Sequence, residues 1–508
     1  MPLFPKVILP HFILVQTKNI TFVCFLFLCS VVFAQETPSG RVLLLDEAIS
    51  LTRQQSPDIH IAANRFKNQY WQYRFYQSNY LPQLRLEGTI PDYSRAIVPI
   101  TQPDGSQEFR EVSLATVNAN LSVRQNIGAT GAQIYAGGFF QRIDNFSPIS
   151  NRQFSGNPRI GLNQPIFRYN QLLWDRRIQP LLYKEAQHLY WEAAEKIAVD
   201  VTNLYFIALL AQTSLEVARA NAANNDTLYR ISEQRFNLGK IAQNELLQLE
   251  LTLMTAQQQL LQAQLDFEKG ILQLKVVTGL NDNNNIQLSV PKRIPQFSVD
   301  VEEALAQAHR NRPQTIEFER RLVEAKSKVA QARGETGFTA NLELNLGVAQ
   351  QGPTFGDLFR RPQDQQGATL TFAIPVVNWG RTRARVRTAK ANEDLENSLV
   401  QQQQINFEQE VYLQAKQFDL VRQQVVFARK SDEIGSLRYG ITKDRYQIGK
   451  ITITDLTIAQ QEKDAARIGY ITALQNFWQA YYQLRRLTLY DFEKKQVLMD
   501  NLDPLTMP

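Results

Sequence analysis

The chain writes one pattern twice. "RFNLGKI" at 235–241 and "RYQIGKI" at 445–451 stand 210 positions apart, and the same offset pairs Tyr229 with Tyr439, Phe267 with Phe477, Thr278 with Thr488 and Pro165 with Pro375. Residues 165–280 and 375–490 therefore match without a gap. Upstream the offset becomes 256, aligning Glu47 with Glu303, Ala48 with Ala304 and Pro57 with Pro313. The difference between the two offsets, 46 residues, is an insertion in the first copy between about Leu86 and Pro165. Two such copies must solve the same burial problem in the same way, which confines the fold to a two-repeat architecture.

Each copy begins with a helical pattern, Leu45 to about Gln77 and Val301 to about Arg333, and continues into strict alternation. Ala340, Leu342, Leu344, Leu346 and Val348 alternate with Asn341, Glu343, Asn345 and Gly347, the period of a strand with one apolar face. Ala368, Leu370, Phe372 and Ile374 repeat it on the return, while Leu84 and Leu86 lead out and Ile160 and Leu162 lead back in the first copy. The insertion has an alternating strand of its own, Val117 to Arg124, which "GATGA" at 128–132 can turn into a partner near 133–140. Whether this hairpin enlarges a barrel or sits outside it is open at this level.

Long helices follow. Ile197, Val201, Leu204, Ala208, Ala211, Leu215, Ala218 and Ala222 recur at steps of four and three, as do Leu246, Leu249, Leu253, Ala256, Leu260, Ala263 and Phe267. These are coiled-coil seams, and Ala256, Ala263, Ala459, Ala466 and Ala473 let neighbouring helices approach. From Asn170 to Leu238 is 69 residues, roughly 100 Å if helical throughout. Asn224-Asn225-Asp226 are poor helix formers that can mark a turn, but Tyr229 and Phe236 continue the seam beyond them. "QQQQ" at 401–404 reads as a wetted helical face.

The repeated motif sits where each long helix should stop. Gly239 and Gly449 supply the left-handed residue past a C-terminus. Three residues later Thr452 can cap the next helix, with Asp455 in the reciprocal position of a capping box. The first copy has Ala242 and keeps only Glu245, so its turn is expected to be looser. Strand pairs thus lie at one end of the helices and reversals at the other, as in a membrane anchor bearing a long projection.

The N-terminus reads as an export signal, residues 1–34: Lys6 and Lys18, an apolar run from Ile20 to Phe33, and Val32-Phe33-Ala34 before Gln35. A retained anchor is the alternative, although the run is short for a spanning helix. Both cysteines, Cys24 and Cys29, fall inside this segment, and the bulky Leu28 argues against lipidation of Cys29. A cleaved chain would contain no cysteine for disulfides, thiol catalysis or cysteine-ligated metal. Losing Lys6 and Lys18 takes the formal charge from +6 to +4, too mild to suggest nucleic acid. No other continuous apolar run is long enough for a spanning helix, so an exported chain is either soluble or inserted as a β-barrel.

The two-repeat plan, "QPIF" and "IPVV" before long helices, "FNLGKIAQNELLQLE" and "YQIGKITITDLTIAQ" together resemble the TolC-like outer-membrane efflux proteins across essentially the whole mature chain. The resemblance implies a mainly α fold: antiparallel coiled-coil helices forming a trimeric α-barrel, plus antiparallel strands of one shared trimeric β-barrel. It implies a homotrimer in the outer membrane, in contact with its lipid, whose helices extend into the periplasm. Its tips, with Gly239, Lys240, Gly449 and Lys450, would dock a periplasmic adaptor (membrane fusion protein) of an inner-membrane transporter. Tyr446 and Glu245 match the positions that restrain the closed tip in the family. The arginine expected two residues after the second glycine is replaced by Ile451, and the acidic ring expected nine residues after it by Ile458. An apolar constriction is the expectation in their place.

The expected organisation is a first repeat over 41–283, with the inserted hairpin region at about 95–145, a second over 297–492, and a tail over 493–508. The expected function is a passive exit duct of a tripartite pump or type I secretion system, without enzyme activity or cofactors. The rival is a structural periplasmic coiled-coil adaptor or tether without a pore. Tyr481, Tyr482 and Trp478 read as core, and His60, His188 and His309 are too scattered for a metal or nucleophile site. No phosphate loop or "GxSxG" elbow appears.

Overall fold

The computed structural model describes residues 41–147, 149–280 and 286–499; the expected signal segment with its two cysteines, and most of the tail, lie outside these. In chain order the first repeat contains β1 (Arg41–Leu43), α1 (Leu45–Gln55), α2 (Pro57–Ser78), β2 (Gln83–Thr101), β3 (Gln107–Ile127), β4 (Ala132–Ser147), β5 (Asn151–Ile166), α3 (Gln171–Asn237) and α4 (Gln243–Thr278). β6 (Ile286–Leu288) follows, and after it come α5 (Val301–Asn311), α6 (Pro313–Thr336), β7 (Thr339–Gly352), β8 (Gln363–Ala373), α7 (Arg381–Gln447), α8 (Ile453–Thr488), β9 (Tyr490–Asp491) and β10 (Gln496–Val497).

The offset of 210 carries through to the element ends: α3 and α7 are each 67 residues, α4 and α8 each 36, with matching boundaries. α3 passes through Asn224-Asn225-Asp226 without a turn. There Asn225 is buried and Lys443 Nζ donates to Asn224 Oδ1 at 3.3 Å, so tertiary partners outweigh low propensity. The first helix of each repeat, expected to be continuous, is broken into α1–α2 and α5–α6. The cause is Pro57 and Pro313, which exclude the preceding Ser56 and Arg312 from the helical region (ψ 137 at both) and restart the helix as its first residue.

The four long helices lie side by side in the order α4-α3-α8-α7, with α2 and α6 flanking. Their seam residues are the core: Val201, Ala208, Val411, Phe418, Leu474 and Phe477 are fully or almost fully buried. Small residues set the spacing, since a Cβ on Gly270 would lie 3.1 Å from Ala208 Cα. One stretch of α3 is long and apolar enough to cross a membrane by composition, but half of it is buried in this core.

The midsection is tied by polar groups that burial forces into pairs. Arg485 meets Glu195 at 3.0 Å and Asp491 at 3.0 Å, both carboxylates almost fully buried. The Tyr205 hydroxyl lies between the carbonyls of Leu43 and Ser289, which joins the parallel pair β1–β6 to α3. Trp478, Tyr481 and Tyr482 are buried here as core, as the sequence suggested.

At the far end stands one six-stranded antiparallel sheet, in the order β2-β3-β4-β5-β7-β8. The inserted hairpin is therefore inside the sheet rather than beside it. β7 runs over 339–352 and β8 over 363–373, as the alternation predicted, and Ile374 falls just past the end. β2 has a bulge between Thr89 and Asp92, and β4 has another at Phe146, where its pairing with Ser113 and Leu114 of β3 shifts.

Candidate functional site at the helical tips

Both reversals close as helix C-caps of one kind. Gly239 has φ +70 and Gly449 φ +74, conformations that a side chain resists and glycine does not. Gly239 N donates to Phe236 O at 2.8 Å and Lys240 N to Arg235 O at 2.9 Å; Gly449 N and Lys450 N repeat this on Tyr446 O and Arg445 O at 2.9 and 3.0 Å. This is the Schellman pattern, which satisfies carbonyls that a helix end leaves open. It also turns Lys240 and Lys450 into solvent. Both are exposed, and among the described residues neither ammonium pairs with a carboxylate.

The entries to the next helices differ. The Thr452 hydroxyl donates to Asp455 Oδ2 at 2.7 Å while accepting from Asp455 N at 3.2 Å, and Thr452 N donates to the same carboxylate at 3.1 Å. The hydroxyl's hydrogen bond holds the Asp455 carboxyl below the ordinary carboxylate range. Ala242, at the equivalent cap, makes no side-chain bond, and Glu245 accepts none in return.

Beneath the tips lies a small apolar cluster of Leu228, Leu249, Tyr446, Ile453 and Leu456, with Tyr229, Tyr439 and Ile451 against it. Tyr446 is buried there, and among the described residues no hydrogen bond joins it to Glu245. Within one chain Tyr446 instead packs against Leu228, Leu249, Ile453 and Leu456. Ile451 belongs to this cluster, and Ile458 on α8 stands 44% exposed.

Polar bonds that the motif alone did not disclose link the two hairpins. Arg235 Nη2 donates to the carbonyl of Gln447 at 3.2 Å, Asn221 Nδ2 donates to Asp464 Oδ2 at 2.6 Å, and Lys443 Nζ donates to Asn224 Oδ1 at 3.3 Å. The arginine was visible in both copies of the motif. Its partner is a main-chain atom 212 residues away, which side-chain pattern does not reveal. Among the described residues no His, Cys, Asp and Glu group could hold a metal. His188 bonds a main-chain carbonyl at Asn311, and His309 lies near Glu408.

These tips, rods and sheet match a known pattern. The model of the outer membrane efflux protein family matches residues 48–280 and 304–488. The chain belongs to that family. Comparison with curated proteins finds no match. Among solved structures, the Campylobacter jejuni CmeC outer membrane channel is 19% identical, with TM-score 0.63 over 87% of this chain and 85% of that one. CusC, described for folding and transmembrane channel formation, is 16% identical at TM-score 0.59, covering 88% and 91%. The open state of the Neisseria gonorrhoeae MtrE outer membrane channel is 14% identical at TM-score 0.57, covering 87% and 88%. Membership in the outer membrane efflux proteins gives the chain an efflux-channel role in the outer membrane, with its helices in the periplasm. Family and fold are those of passive channels rather than enzymes.

Proposed function

We propose that three copies of this chain close into one exit duct of a tripartite efflux or type I secretion assembly. The observation that carries this reading is a pair of apolar stripes on the two outer helices. On α7 and its C-cap, Leu413, Leu420, Phe427, Ile434, Ile441 and Ile448 recur every seven residues, each more than half exposed. On α4, at the opposite edge, Leu247, Leu251, Met254, Leu261, Leu265 and Leu272 form a second stripe, equally exposed. A heptad stripe in water is a coiled-coil seam without its partner. Because the two stripes lie on opposite edges of one layer, the α4 edge of one copy meets the α7 edge of the next, and a contact of that type closes into a ring.

The sheet supports the same assembly. β2 and β8 are its edges, each paired on one side only. Unpaired strand edges do not persist in hydrocarbon, so the sheet must close with its copies into a barrel. The six-stranded sheet also weighs against a poreless adaptor or tether. Lys240 and Lys450 are exposed cations at the tips and form the surface on which a periplasmic adaptor, itself coupled to an inner-membrane transporter, would dock. Tip opening then passes cargo outward, with the energy supplied by the partner.

Aspartate in place of Leu420 and Phe427 tests the ring. The expected result is a folded chain that runs as a monomer in detergent; a variant that remains trimeric would sink this assembly. Lys450→Glu should lower export while leaving the trimer intact, and unchanged export would count against docking at the tips.

A further inference from the structure

The inserted hairpin β3–β4 is built as barrel wall. Opposed residues in a sheet share a face, and the register makes one apolar row of Leu84, Val123, Ala136, Ile160 and Leu346, and another of Ile134, Leu162, Leu344 and Ala368. The opposite face reads Arg124, Tyr135, Gly161, Asn345 and Gly367 in one row. Tyr135 of the hairpin lies over Gly161, where a Cβ would come within 2.3 Å of its ring, and its hydroxyl reaches 3.5 Å toward Glu343 of the second repeat. Both faces of the hairpin therefore continue the faces of the strands beside it.

We infer that this hairpin widens the pore: three copies close an eighteen-stranded barrel whose lumen is lined in part by Asn120 and Arg124 of the insertion. The inference rests on the trimeric reading above. The second repeat contributes only β7 and β8, and the first without its insertion would contribute only β2 and β5, so the insertion raises the strand count by half. With strands about 4.8 Å apart and tilted by about 40°, eighteen strands enclose roughly 35 Å between backbones and twelve roughly 24 Å. Side chains narrow each, leaving an aqueous channel of about 20 Å in the wider case. Cargo size is then limited at the helical tips rather than in the membrane.

The test adds membrane-impermeant polyethylene glycol maleimides of graded size to intact cells carrying Asn345→Cys, in the full chain and in a chain lacking residues 107–147, which leaves β2 and β5 as neighbours of correct direction. Reagents about 20 Å wide should label the full chain and fail in the shortened one; an equal size limit in both overturns the inference. Should the shortened chain not fold, Asn120→Cys and Leu121→Cys in the full chain decide it. Labelling of Asn120→Cys by the wide reagents, with Leu121→Cys silent, supports the hairpin as lumen wall, and the reverse pattern removes it from the lumen. Native mass on the same samples separates the two claims: a species other than a trimer breaks the assembly itself, whereas a trimer with an unchanged size limit breaks only the inference.

Discussion

Arg235 in the first tip holds the main-chain carbonyl of Gln447 in the second at 3.2 Å, so the two reversals are joined directly as well as through the core beneath them. The bond is solvent-exposed and contributes under about 1 kcal/mol to stability. Its consequence is mechanical: Arg235→Ala should leave the thermal midpoint within a degree or two while raising single-channel conductance, since one of the ties between hairpins is gone. Conductance equal to the parent's would mean that this tie does not restrain opening.

Gly449 has a φ of +74, and nothing lies within 4 Å of where a Cβ would stand, so the cost of a substitution there is backbone strain and not collision. Gly449→Val should cost about 1–2 kcal/mol locally and abolish export with trimers intact, whereas Gly449→Asn, which tolerates the left-handed region, should retain most export. Equal export by the two variants would show that tip geometry is irrelevant.

The unequal caps predict unequal fraying. Thr452→Ala should cost about 1 kcal/mol and speed amide exchange across the first turn of α8. Ala242→Thr, which gives Glu245 its reciprocal partner, should slow exchange at the start of α4. Exchange mass spectrometry on both hairpins checks this, and no protection gained at residues 243–246 would show the first tip to be limited by something other than its missing cap.

Acid should loosen the midsection through His188. Burial holds its folded pKa below the ordinary histidine value, with Nδ1 bonded 2.6 Å from Asn311 O. The unfolded chain therefore binds the proton first. Stability is complete above about pH 6.5 and is lost as pH falls from there through the folded value. Denaturant midpoints at pH 7.5 and 5.5 should differ less in His188→Gln than in the parent; an equal difference would remove His188 as the cause.

Much of this was legible because it is periodic. The offset of 210 fixed α3 against α7 and α4 against α8, strict alternation located β7 and β8, and Gly449 with Thr452 and Asp455 announced its own reversal. What the sequence left unread depends on partners far along the chain. Pro57 and Pro313 were legible as aligned prolines, yet their effect, two short helices where one was expected, needed the local rule for the residue before proline. Tyr446 was expected to face Glu245; its burial among Leu228, Leu249, Ile453 and Leu456 depends on how the two hairpins lean together, which no local pattern encodes. The place of the inserted hairpin was likewise undecided, because alternation tells which face is apolar and not which strand lies alongside.

If this layer of helices and strands is one third of a closed duct, the chain leaves the outer membrane as a three-chain species. Native mass spectrometry of the full chain, extracted in mild detergent, reads that number outright. A species of three chains, falling to one when Leu420 and Phe427 are both replaced by aspartate, is the expected result. A parent species of one or two chains would contradict the duct.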